Sequence, residues 1–123
     1  MEKPIYKKKN VTLEELEQAY DVAYQEQVSA ERMYIDAYNH YLKCKHDSDH
    51  AFYVYVKVPS HENSVDYNQK NFHTLNAIKA EDAAKSAYHE AHKNFKKISK
   101  ALNSFKSRVK KKTSESQEEK QPE

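Results

Sequence analysis

The sequence predicts an all-α protein: an elongated, coiled-coil-like antiparallel hairpin of two helices that assembles into a four-helix bundle. Three observations predict it. The 123 residues include no glycine. Apolar and small residues recur at alternating three- and four-residue intervals along two long segments. The charges of those two segments run in opposite directions.

The missing glycine argues against most other folds. Primed hairpin turns, phosphate-cradling loops and left-handed helix caps all draw on its freedom at positive φ. Sandwiches, barrels, P-loop enzymes and dinucleotide-binding folds are disfavoured together. Strong helix formers (Ala, Glu, Lys, Gln) are abundant instead. Only 37% of residues are hydrophobic, below the globular average, and many of these are Ala and Tyr. So thin a supply of apolar surface does not build a large compact core, which predicts burial against another chain, most simply as a homodimer. With 21 basic and 19 acidic residues, net charge imposes no strong preference for nucleic acid or acidic partners.

Residues 1–11 read as a basic arm carrying Lys3, Lys7, Lys8 and Lys9. A helical hairpin is then expected over 12–112. Helix one starts at a capping box, with Thr12 as N-cap and Glu15 three residues on, and Val11 with Leu16 forms the hydrophobic staple around it. It is predicted over about 12–46. Its seam is Leu13, Leu16, Tyr20, Ala23, Gln27, Ala30, Tyr34, Ala37, Tyr41 and Cys44, with Tyr24 and Tyr38 widening one flank. Alanines on the seam favour close helix approach, and the tyrosine rings fill the gaps between them. Gln27 is the one polar interruption.

Residues 51–58 admit two conformations. Ala51, Tyr55 and Val58 continue the heptad phase from Cys44 through Ser48, which would carry helix one unbroken to Val58. Alternatively, Phe52, Val54, Val56 and Val58 share one face of a strand. The Asp-Ser-Asp run at 47–49 is poor helix material, so a small extended or β tip over 47–73 is the favoured expectation. Such a strand has no intrachain partner and would pair with another sheet edge.

Helix two is predicted over about 74–112. Its seam is clear from Ala84 through Tyr88, Ala91, Phe95, Ile98, Leu102, Phe105 and Val109. Phe72, Leu75 and Ile78 do not share that phase, which predicts a shift in winding near 79–83. Residues 113–123 are polar and charged, contain Pro122, and read as a disordered tail.

The orientation follows from charge. Helix one opens with Glu14, Glu15, Glu17 and Asp21, and helix two closes with Lys96, Lys97, Lys100, Lys106 and Arg108. Antiparallel packing sets these blocks opposite each other, whereas parallel packing would oppose like charges.

Catalytic machinery is not expected. Cys44 is the single cysteine, so neither a disulfide nor a thiolate zinc site arises within the chain. Its place on the seam favours an inert thiol. His46 and His50 stand four apart, His89 and His92 three apart, and His73 would lie near His50 in an antiparallel hairpin. The Glu beside the first His of the zinc-protease signature is missing, so no metal or other cofactor is expected. The carboxylates are spread along a solvated face, and no small-molecule substrate is expected. The apolar run Ala51–Val56 is far too short to span a bilayer, and the lysine-rich start does not resemble a secretory signal. A cytoplasmic protein is expected, with the nucleus as the other compartment, neither secreted nor transmembrane.

Binding is the expected function. Phe52, Tyr53, Val54, Tyr55, Val56 and Val58 form an aromatic and β-branched segment with a polar rim, the composition of a contact surface. With the exposed hairpin face, it points to a non-enzymatic protein–protein interaction module: scaffold, adaptor or inhibitor. A second candidate is anion binding. An antiparallel hairpin gathers Lys7, Lys8 and Lys9 with Arg108, Lys110, Lys111 and Lys112, and such a cluster can hold nucleic-acid or membrane phosphates. A small host-directed inhibitor from a mobile element is a third, prompted only by the glycine-free composition.

Overall fold

The computed structural model describes residues 10–120, with side chains through Lys111. Two long helices, α1 (Leu13–Lys57) and α2 (His61–Lys120), pack antiparallel as a hairpin, and the described residues contain no strand.

The start of α1 is where the capping signature placed it. The Glu15 backbone N–H donates to Thr12 Oγ1 at 3.1 Å, and the Leu16 N–H donates to the Thr12 carbonyl at 3.1 Å. Leu16 itself is 2% exposed, so cap and core contact are set within one turn.

Helix α1 does not break at the Asp-Ser-Asp run. It continues to Lys57, and only residues 58–60 are non-helical. The expected tip over 47–73 is therefore corrected: α2 begins at His61 rather than near 74. Helix propensities differ by only about 0.7 kcal/mol per residue among ordinary side chains. Burying the seam residues Ser48 and Ala51 and stacking Phe52 on Tyr67 outweighs that preference.

Proline ends α1. Pro59 lacks a backbone donor and disfavours helical geometry at Val58. Ser60 then caps α2, accepting the Asn63 N–H on its Oγ at 3.1 Å, while the Asn63 side-chain amide donates to the Val58 carbonyl at 2.7 Å. One residue thus joins the cap of α2 to a free carbonyl at the end of α1. No described residue adopts positive φ. The chain reverses without a left-handed position, so it needs no glycine.

Two further expectations are corrected. There is no phase shift near 79–83: the α2 seam runs through Tyr67, Lys70, Thr74, Ala77, Glu81 and Ala84 at unbroken three-four spacing, all buried or half-buried. Phe72 and Leu75 stay outside. Residues 113–120, expected to be disordered, are helical, as suits their Glu, Gln and Lys content. Residues 121–123, with Pro122, lie outside the described residues.

The contacts group into two compact units. The first takes α1 up to Gln27 and α2 from Glu90 onward. Its core is Leu16, Ala23, Ile98 and Leu102. The Phe95 ring lies 5.1 Å from that of Tyr20 and 5.9 Å from that of Tyr24. The polar interruption has a partner: the His92 Nδ1–H donates to Gln27 Oε1 at 3.0 Å. A paired polar couple on an apolar seam favours one register, because any slip would leave both groups unsatisfied.

The second unit is Val28–His89. Its buried residues are Ser48, Ala51, Thr74 and Ala77, all small. The helices approach closely enough for the Thr74 hydroxyl to reach the main chain of α1. Thr74 Oγ1 lies 2.9 Å from the Cys44 carbonyl and 3.0 Å from the Lys70 carbonyl of its own helix, and its proton is shared between them. Aromatic pairs fill the seam on either side, with Tyr34 edge-on to Tyr88 and Phe52 tilted on Tyr67.

Candidate protein-binding surface

In an α-helix, residues four and three apart fall on one flank. In the second unit the flank of α1 beside its seam carries Val28, Ile35, Tyr38, Leu42, Phe52 and Val56, and all six are exposed. They occupy a second heptad stripe, offset one position from the buried one. On α2, Val65, Phe72 and Leu75 are also exposed, Phe72 at 60% and Leu75 at 51%.

Two open depressions lie beside these side chains. Glu31, Tyr34, Ile35 and Tyr38 of α1 line one open depression with Tyr88 of α2. Val65, Asn68, Gln69, Phe72 and His73 line another. Both are shallow and solvent-open, unlike the enveloping clefts that hold small-molecule substrates. Exposed large apolar side chains of this kind make the second unit a candidate for contact with another surface.

The structure divides the segment singled out from the sequence. Phe52, Tyr53, Val56 and Val58 are exposed, Val56 at 58%, whereas Val54 and Tyr55 are half-buried. As a helix, the segment spreads these six residues around its circumference instead of dividing them between two strand faces. Phe52, Tyr53 and Val56 share the outward flank. Lys57 Nζ sits 5.5 Å from the Tyr53 ring centroid, a cation–π contact at the polar rim. The contribution of α2 was not foreseen. Its signal was present, since Phe72 and Leu75 stand out of phase with the Ala84–Val109 seam and so face outward.

The basic set is less fully placed. Arg108, Lys110 and Lys111 are exposed on α2, and Lys112 belongs to the same helix. Lys3, Tyr6, Lys7, Lys8 and Lys9 lie outside the described residues. In the first unit an open depression on α2 is lined by Lys93, Lys96, Lys97 and Lys100 around Phe95.

The histidines do not converge. Among the described residues, no three His, Cys, Asp or Glu side chains gather as a metal site. His46, His50 and His73 are exposed, and His92 is engaged with Gln27. Cys44 is half-buried, its Sγ 3.6 Å from His40 Nε2 one turn away. No described helix is long and apolar enough to cross a membrane. No protein-family model, curated protein or solved structure matches this chain, so its function must be argued from the geometry of these helix faces.

Proposed function

We propose that the chain is a non-enzymatic protein–protein interaction module, a scaffold, adaptor or inhibitor, that binds a helix of another protein. The turn-proximal end of the second unit makes the contact, through Phe52, Tyr53, Val56 and Val58 of α1 with Val65 and Phe72 of α2. One observation carries this reading: the second unit fully buries only Ala, Ser and Thr, while Ile35, Phe52, Val56, Phe72 and Leu75 are exposed. An amphipathic helix laid along these residues would bury its anchors between them.

A photo-crosslinking residue at Tyr53, and separately at Phe72, tests it in the protein's own cell. The expected result is one heterologous adduct common to both positions and missing when the probe replaces Asp47, exposed on the opposite flank of α1. The purified partner should then bind the chain directly and lose at least about tenfold in affinity with Phe72→Asp, as expected for a central apolar anchor. Adducts that differ between the two positions would overturn the reading.

A second reading rests on the lysine-lined depression around Phe95 and the exposed Arg108, Lys110 and Lys111 of the first unit. These residues would hold phosphates of nucleic acid or an anionic membrane surface. Binding of a short duplex or of anionic vesicles should then fall steeply with added salt. Salt-insensitive binding would remove this alternative.

A further inference from the structure

The exposed stripe of α1 reads similarly in both directions. Reversed end for end about His40, Tyr38 exchanges with Leu42 and Val28 exchanges with Phe52, apolar for apolar. Glu31 exchanges with Asp49, so the polar positions coincide as well, acid opposite acid, with Lys45 one turn from each. Ile35 exchanges with Lys45, whose methylene stem can cover an aliphatic side chain while its ammonium stays at the edge. All of these residues belong to the second unit, and the apolar ones among them are exposed.

From this mirrored pattern we propose that a second copy of the same chain occupies the stripe, with the two α1 helices antiparallel and a two-fold axis passing between Tyr38 and Leu42. This rests on the reading that the outward flank of the second unit is a binding surface, and it names the occupant of the central part. At the centre, Tyr38 of each copy packs on Leu42 of the other. Toward each end, Val28 meets Phe52 of the second copy. Between them, Ile35 lies along the Lys45 stem of the second copy. That ammonium stands within reach of Glu31 across the contact and of Asp49 one turn along its own helix.

Charge favours this orientation modestly. A parallel pairing would set Lys45 on Lys45 and Glu31 on Glu31 with no cation within a turn. The antiparallel pairing keeps the two lysines apart and sets Glu31 opposite Asp49 with Lys45 one turn from both, so one ammonium offsets each carboxylate pair. Two-fold self-complementarity is the requirement for an isologous dimer, and an arbitrary helical partner would impose no such symmetry on the stripe. The thin seam of the second unit supplies the need, since Ser48, Ala51, Thr74 and Ala77 bury little apolar surface within one chain.

Sedimentation and light scattering of the full chain test the proposal. The wild-type protein should be dimeric, and Tyr38→Glu with Leu42→Glu should be monomeric and still helical, since both positions are exposed in the hairpin. Lys45→Glu should weaken the dimer by roughly tenfold, because three carboxylates then meet. Adding Glu31→Lys to that variant should restore it. The two positions are 14 residues apart, or about 21 Å along one helix at about 1.5 Å per residue, so the rescue can act only between copies.

A wild-type chain that stays monomeric at roughly 100 μM, a hundredfold above a micromolar Kd, would overturn the proposal, as would a dimer indifferent to Tyr38, Leu42 and Lys45. Either result leaves heterologous binding by Tyr53 and Phe72 standing. A dimer that forms as expected, while those two positions crosslink only to a second copy, would instead remove the heterologous reading alone.

Discussion

The two units use the same heptad spacing and fill it in opposite ways. The first hides Leu16, Ile98 and Leu102 and leaves Glu14, Glu17, Asp21, Lys96 and Lys106 in solvent. The second hides Ala51, Ala77, Ser48 and Thr74 and leaves Ile35, Phe52, Phe72 and Leu75 in solvent. The first has a fully buried aliphatic core, whereas the second buries only small residues completely, half-buries Tyr34, Tyr67 and Tyr88 and leaves its largest aliphatic side chains outside. Spacing alone decides which positions face the neighbouring helix. Side-chain size decides how near the backbones come, and the Thr74–Cys44 bond at 2.9 Å shows how near they come in the second unit. So thin a fully buried core is a weak basis for an isolated pair of helices, and it becomes sensible when the exposed flank has something to cover.

Substitutions can break or sharpen this contrast. Leu16→Ala, at a fully buried site of the first unit, should destabilise the chain by about 2–5 kcal/mol through lost transfer energy and a residual cavity. Urea unfolding followed by circular dichroism reads this, and a change below about 1 kcal/mol would mean that the first unit is not conventionally packed. The reverse change belongs to the second unit. Ala77→Leu, at a site 4% exposed, should destabilise by about 1–3 kcal/mol because the added methylenes force the helices apart. A stabilising Ala77→Leu would show that the small-residue seam has room to spare. The smallest effect is expected outside. Leu75→Ser should change stability by no more than about 0.5 kcal/mol, since the side chain is already half in water. A larger loss, measured the same way at low protein concentration, would show that Leu75 packs within the single chain.

Much of the fold was legible from local chemistry. The Thr12–Glu15 box located the start of α1 because a cap is a contact between residues three apart. The opposed charge blocks indicated the antiparallel direction. The second cap was legible in principle: Pro59 followed by Ser60, with an acid at Glu62 and an amide at Asn63, is a helix stop and a helix start in five residues. The valines and the Asp-Ser-Asp run masked it by their own weak preference for other conformations. Of the proposed binding surface, Phe52, Tyr53, Val56 and Val58 stand out from composition, while Val65, Phe72 and Leu75 do not.

By itself, the sequence determined the all-α class, the absence of glycine-dependent turns, the start of α1 and the three-four spacing of both seams. Each of these depends on a residue and its neighbours within a turn or two. Only the tertiary structure decided that residues 47–57 and 61–73 are helical and that α2 presents Thr74 and Ala77, not Phe72 and Leu75, to α1. That choice belongs to the pair of helices. Close approach at Cys44 favours a small side chain opposite, so Thr74 takes the seam and Phe72 and Leu75 are turned outward.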